Sequence, residues 1–302
     1  MNIGAKSITL NAPGKINLTF EILGKRTDGY HEIRSVVTTI PLFDSVTIGL
    51  ETASEDVGES VRISCDNGDV PTDKENTCFK AVNELKKKIA NTGKSKILDN
   101  HCVSIHIQKR IPVAGGLGGS STDAATVILG LNVLLDLGLS RENLLRVANR
   151  VGSDLGSFIY GGTTLQEGRG DIITPISREP LTFPLLLVFS PEKWECKDSY
   201  QKFRIEKKNR RENLSDPVIA AIKNNKAAQI GSLLYNDLEL SENTNRDYVD
   251  SVKNGLIESG AIGSLMSGSG PTVYGIYPDN KTLAAAEAKL RPHYPHILNL
   301  KI

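Results

Sequence analysis

No two of the four cysteines, at positions 65, 78, 102 and 196, stand at CxxC spacing, so neither a zinc site nor a disulfide framework is legible. They read instead as reduced thiols of a cytosolic protein. The five histidines include no HExxH, and His293 and His296 have no carboxylate or cysteine at ligand spacing. Long apolar runs are missing too. Nothing approaches the roughly 20 residues needed to cross a bilayer, and residues 1–15 hold no signal-peptide core. A cytoplasmic chain without a membrane partner is the expectation. Charge of one sign is equally scarce, with 36 Lys and Arg against 35 Asp and Glu, for a net +1. That balance gives no electrostatic reason to expect nucleic acid as a partner. The one basic cluster, KFRIEKKNRR at 202–211, lacks interleaved aromatics and a basic domain around it, and reads as a solvated face.

Several familiar phosphate and acyl chemistries are also absent. The tail GKS at 93–95 mimics a Walker A loop, but position 88 is lysine where that loop needs its first glycine. The run Gly116-x-Gly118 meets Ser121 where a dinucleotide fingerprint needs glycine. Neither HRD and DFG of the protein kinases nor GxSxG of the hydrolases occurs.

What is present is a chain of 302 residues, 39% hydrophobic and 24% charged, enough for one large or two ordinary domains. Alternation at Val103, Ile105 and Ile107 predicts a strand, as do residues 16–23, 185–189 and 296–302. Helical spacing marks Phe79, Val82, Leu85 and Ile89, then Ala124, Ile128, Leu131 and Leu135. Ser140 is an N-cap for a helix to about Val151, and Asp216-Pro217 reads as an N-cap with a proline at the first helical position. A helix through Val249, Val252 and Leu256 should stop at Gly260, and Asn280 should cap another. Two β-like segments flank the SGSG at 267–270. Strands and helices do not alternate regularly and no repeat is present, so the fold class is α+β in two domains, 1–165 and 166–302.

The strongest local signal is PVAGGLGGSST at 112–122. Four glycines in five positions let the backbone approach a ligand and adopt positive φ. A hydroxyl run then opens a helix, whose first N–H groups make an anion site. This is a phosphate cradle formed by Pro112, Gly115, Gly116, Leu117, Gly118, Gly119, Ser120, Ser121 and Thr122. APGKINL at 12–18 puts Lys15 and Asn17 on one side of a strand, and SGSGPT at 267–272 is a second glycine–hydroxyl loop. Asp154 follows a helical stripe, and by residue type alone it reads as a turn former.

These segments, in this order, resemble the GHMP kinase superfamily over most of the chain. The segment GKRTDGYH at 24–31 resembles the pattern of its 4-diphosphocytidyl-2-C-methyl-D-erythritol kinase family, and GRGD at 168–171 and NDLE at 236–239 also fit. The resemblance implies a ribosomal protein S5 domain 2-like N-terminal domain that binds ATP and a ferredoxin-like C-terminal domain on the substrate side. It implies transfer of the ATP γ-phosphate, with Mg²⁺ on the phosphates, to the 2-hydroxyl of the methylerythritol moiety, in the non-mevalonate route to isoprenoid precursors. Asp154 would be the base and Lys15 its electrostatic partner. Asn76 and Lys109 would line the nucleotide pocket beside the glycine loop. Asn17, Tyr30, His31, Ser267, Gly268 and Gly270 would hold the cytidyl substrate, with Tyr200, in competition with Trp194, as the second aromatic at the cytosine. Mevalonate or phosphomevalonate kinase is the alternative within the superfamily, disfavoured by DGYH, and a silent nucleotide-binding regulator is disfavoured by the presence of both Lys15 and Asp154.

The chain departs from the family pattern in two places. Leu155-Gly156-Ser157-Phe158 replaces a proline-containing segment after Asp154, which predicts a less rigid stretch there. The segment before Tyr200 lacks the usual Ser-Thr pair and has shifted spacing.

Overall fold

The computed structural model describes residues 6–52, 60–90, 94, 98, 100–190, 196–205 and 213–301. The chain divides into two compact units built from interleaved segments. The first comprises residues 1–14, 42–113 and 118–160, and the second residues 15–41, 114–117 and 161–302. Where the sequence reading draws one boundary at 165/166, the contacts assign residues 15–41 to the later part of the chain. Two strands, β1 (Lys6–Asn17) and β3 (His31–Thr52), each contribute to both units.

In the first unit, β4 (Val61–Cys65) pairs in parallel with β5 (His101–Gln108), which pairs antiparallel with the second half of β3. Val103, Ile105 and Ile107 are buried while His106 and Gln108 are exposed, so the alternation in the sequence is that of a one-sided strand. Helices α1 (Thr77–Ile89), α2 (Gly119–Leu134), α3 (Arg141–Val151) and α4 (Leu155–Tyr160) pack here. Their core includes Val82, Leu85, Ile128, Leu131, Val147 and Phe158. Ser140 caps α3 as expected, accepting from the Asn143 N–H.

In the second unit, β2 (Thr19–Lys25) lies antiparallel to the first half of β3, which also pairs with β6 (Thr163–Gly168), itself paired with β7 (Ile172–Ser177). The short β9 (Tyr235–Asn236) runs parallel to β2. A separate antiparallel sheet has β8 (Leu185–Val188) and β11 (Val273–Ile276) at its centre, with β10 (Gly263–Met266) and β12 (Ile297–Leu300) at its edges. The unit's helices are α5 (Cys196–Gln201), α6 (Ser215–Lys223), α7 (Ala227–Ser232), α8 (Arg246–Glu258) and α9 (Asn280–Leu290). Val249, Val252, Leu256, Leu283 and Leu290 from α8 and α9 join Leu186, Val188 and Val273 in its core.

Local differences from the sequence reading have identifiable causes. The strand expected over 16–23 is broken at Leu18 into β1 and β2. Helix α6 is not capped by Asp216. The N–H groups of Leu214 and Ser215 both donate to the buried Glu21 carboxylate, each at 3.0 Å, so the cap comes from β2. Asp216 instead pairs with Arg34 at 2.6 Å. Asp279, rather than Asn280, caps α9 through the Thr282 N–H. At the end of α8 the expectation holds: Gly260 has φ +103°, and Ala261 N–H and Gly260 N–H donate back to Leu256 and Ile257 in a Schellman pattern.

Candidate active site

The second unit brings Lys15, Asn17, Gly116, Ser267 and Gly268 into one buried polar knot. Lys15 Nζ donates to Asn17 Oδ1 at 2.6 Å and to the Gly116 carbonyl at 2.8 Å. Asn17 donates in turn to Ser35 Oγ at 2.8 Å, and its own carbonyl accepts from the Tyr274 hydroxyl. The Asn17 side chain thus ties the Lys15 ammonium to Ser35. Ser267 Oγ also donates to the Gly116 carbonyl, at 3.0 Å. Asn236 Nδ2 spans the second glycine loop, donating to the carbonyls of Met266 and Gly268. Glycine is required at two of these positions. A Cβ on Gly116 would stand 2.2 Å from the Ser267 carbonyl oxygen, and one on Gly268 would stand 2.9 Å from Lys15 Nζ. Gly270 closes the same loop, its N–H donating to the Ser267 carbonyl.

The DGYH segment folds as a tight turn between β2 and β3. Arg26 N–H donates to the Tyr30 carbonyl, Gly29 takes φ +87°, and the Asp28 carboxylate accepts from the Tyr30 N–H. The turn leaves Tyr30 52% exposed, with the Arg169 guanidinium 5.3 Å from its ring centroid. His31 turns inward, 5.7 Å from the ring of Tyr200 and 6.5 Å from that of Phe203. Burial, aided by the charge of Lys25, holds the His31 imidazole below its ordinary pKa. Tyr200 also meets Phe20 edge-on. Its competitor Trp194 lies outside the described residues.

In the first unit, the loop Gly118, Gly119, Ser120, Ser121 and Thr122 opens α2. Gly118 flanks the helix with φ +73° and supplies no side-chain cap, so the first N–H groups of α2 are not satisfied by a capping side chain. Leu117, from the second unit's segment, is buried, and its carbonyl accepts the Lys15 N–H. Pro112 and Gly115 precede it, and the Gly115 carbonyl accepts from Thr272 N–H.

Two expected nucleotide residues have their polar groups engaged within the fold. Asn76 is the N-cap of α1, accepting from Cys78 N–H and donating to the Pro71 carbonyl. Lys109 Nζ is held by Asp44 at 2.5 Å and Asp123 at 2.9 Å. Burial pushes the Asp123 carboxyl up to about 7, with Lys109 opposing and Asp44 reinforcing the shift. Burial also works to lower the Lys109 pKa, but the two carboxylates hold it above its ordinary value. Asp44 and Asp123 escaped the sequence reading because nothing marks two carboxylates, 79 positions apart in the numbering, as sharing one ammonium. Asp154 stands half-buried in the turn just before α4. The segment after it is no loose stretch: Gly156 and Ser157 lie within α4, where Leu155, Phe158 and Ile159 pack into the core.

Among the described residues no group of three His, Cys, Asp or Glu side chains could hold a metal ion. No helix among them is long and apolar enough to cross a membrane.

Residues 76–162 match the GHMP kinases N terminal domain, and residues 218–296 match the GHMP kinases C terminal domain. A 4-diphosphocytidyl-2-C-methyl-D-erythritol kinase of Geobacter metallireducens is 38% identical over 93% of this chain and 93% of its own. That of Shouchella clausii is 40% identical over 89% of this chain and 85% of its own. Among solved structures, a 4-(cytidine 5'-diphospho)-2C-methyl-D-erythritol kinase shares the fold with a TM-score of 0.74 at 23% identity, covering 97% of this chain and 98% of that one. A homoserine kinase from Cytophaga hutchinsonii does so at 0.70 and 18%, covering 97% and 93%. The chain, an α+β protein, belongs to the GHMP kinases and, within them, to the 4-diphosphocytidyl-2-C-methyl-D-erythritol kinase family.

Proposed function

We propose that this protein transfers the γ-phosphate of ATP to the 2-hydroxyl of 4-diphosphocytidyl-2-C-methyl-D-erythritol, in the non-mevalonate route to isoprenoid precursors. The observation that carries the substrate class is the pairing of His31 with Tyr200, 5.7 Å between ring centroids, beside the exposed Tyr30. A cytosine ring has a π-face for such aromatics and a polar edge for an imidazole that is neutral at pH 7. Mevalonate has neither. Relatives 38% and 40% identical, named for the cytidyl substrate, support the same reading.

A tertiary alcohol is a weak nucleophile. In the proposed reaction Asp154 orients the 2-hydroxyl and accepts its proton as the new O–P bond forms. The bond from the γ-phosphorus to the bridging oxygen breaks, and ADP leaves with that electron pair. Lys15 steadies developing oxygen charge. Its hydrogen bonds to Asn17 and Gly116 supply the fixed direction such a role needs. The glycine-rich loop offers backbone N–H groups to the ATP phosphates. Bound Mg²⁺ would reduce the repulsion between those phosphates and the incoming oxygen. The N-terminal part to residue 165 is the nucleotide side in this reading and the remainder the substrate side, with the 15–31 segment contributing to the latter. A cytoplasmic setting is supported by the unoxidised thiols of Cys65 and Cys78.

The test is ADP release by the purified protein with the cytidyl methylerythritol substrate and, separately, with mevalonate. Turnover with the former alone is expected. Turnover with mevalonate alone would overturn the proposal.

A further inference from the structure

Lys109 follows β5, yet its ammonium is not available to a phosphate. Its side chain is 5% exposed, and those of Asp44 and Asp123 are 0% and 3% exposed. Asp44 has a further hold, since its Oδ1 accepts the N–H groups of Arg110 at 2.6 Å and Ile111 at 2.8 Å. Three stretches of the first unit therefore meet at one nitrogen: β3 through Asp44, the residues after β5 through Lys109, and the second turn of α2 through Asp123. The loop lies directly on this junction. A Cβ on Gly119 would stand 3.0 Å from Lys109 Nζ and 3.3 Å from Ile111 Cγ2.

Stability alone does not favour such a junction. Ions taken out of water recover their hydration only in part, and apolar replacements of similar volume are often as stable or more so. Asp123 Oδ1 and Thr122 Oγ1 are moreover buried with no hydrogen-bond partner. Orphaned polar atoms cost free energy, and here they occupy consecutive positions where the glycine-rich loop becomes helix. An ionic tie gives what apolar packing does not: a directional contact that fixes one register of the turn.

The geometry points to Asp44, Lys109 and Asp123 as positioning residues that hold the turn at residues 119–122 in the register that receives nucleotide phosphates, without touching the nucleotide themselves. This rests on the nucleotide reading of the glycine-rich loop given above. It also reassigns Lys109, whose charge is met by two carboxylates.

Calorimetric binding of ADP with Mg²⁺ to the full chain tests it, compared across wild type, Asp123→Asn and the triple variant Asp44→Asn/Lys109→Met/Asp123→Leu. The triple variant removes all three charges while the amide of Asp44→Asn keeps an acceptor for the Arg110 and Ile111 N–H groups, and so guards against a variant that simply fails to fold. Both variants should bind ADP about tenfold or more weakly, as expected when a binding turn loses its register. In steady state their KM for ATP should rise while the KM for the cytidyl substrate stays put. Unchanged ADP affinity in either folded variant overturns the clamp. Tighter binding by Asp123→Asn also overturns it, because that is the result expected of a lysine released to contact the nucleotide. A wild type that binds no ADP would overturn the nucleotide reading, and this inference with it.

Discussion

Replacing Gly116 with alanine separates two costs that the structure assigns to the same residue. Its φ of +76° lies in the left-handed region, which costs an ordinary L-residue about 1–2 kcal/mol. The new Cβ would also stand 2.2 Å from the Ser267 carbonyl oxygen and 2.9 Å from that of Gly270. Both obstacles are backbone, so the overlap is relieved only by moving a loop, which for overpacked sites costs about 1–3 kcal/mol. The sum is a loss of about 2–5 kcal/mol. Gly161→Ala is the control in the same unit, because φ there is +70° but nothing lies within 4 Å of the added Cβ. It should carry the conformational cost alone. Urea titrations of both variants, followed by circular dichroism, compare the two costs. The midpoint for Gly116→Ala should fall about 1.5 to 4 times as far. Turnover should fall with it, since the Gly116 carbonyl is an acceptor for both Lys15 and Ser267. Equal midpoint shifts in the two variants, or wild-type turnover by Gly116→Ala, would refute the reasoning.

Asp154→Asn and Lys15→Met should each lower kcat by about 10²–10⁴, the range for a lost proton acceptor or its charge partner, the first with little change in unfolding midpoint and the second with a lower one because it orphans the buried Asn17 Oδ1. Wild-type turnover in either would remove that residue from the mechanism. Tyr30→Ala should raise the KM for the cytidyl substrate by about 5- to 100-fold, as for loss of one base–aromatic stack, while the KM for ATP stays within twofold. Equal effects on both substrates would take Tyr30 out of the cytosine site. The His31 pKa is held below its ordinary 6.5, so the folded protein binds fewer protons there than the unfolded chain. Its contribution to stability is therefore present above pH 6.5 and lost as pH falls through that value, and a His31→Gln variant should show a flatter stability profile between pH 7 and 5.5. A wild-type profile in that variant would contradict the assignment.

Much of the fold was legible because its signals are local. Ser140 needs only its own side chain and the N–H of Asn143 to start a helix, and Gly260 needs only its own φ to stop one. The caps that were misplaced belong to groups distant in sequence, as Glu21 does at the start of α6. The same division runs through the site. DGYH and the two glycine loops announce tight turns in their composition, and His31 and Tyr200 do come together. The resemblance puts Lys109 and Asn76 at the nucleotide pocket, and only their partners show their polar groups engaged within the fold.

The sequence by itself determined the α+β class, the glycine-rich loops and the chemistry of the residue types the site uses, because these follow from periodicity, φ preference and functional groups. Tertiary structure decided which of those groups face one another. Lys15 is directed by Asn17 and by the Gly116 carbonyl 101 positions away in the numbering. Lys109 is neutralised by Asp44 and Asp123. Charge and hydrogen bonding act through space, so a balanced total of 36 cations and 35 anions is compatible with a free ammonium or a buried one. Only the fold distinguishes them.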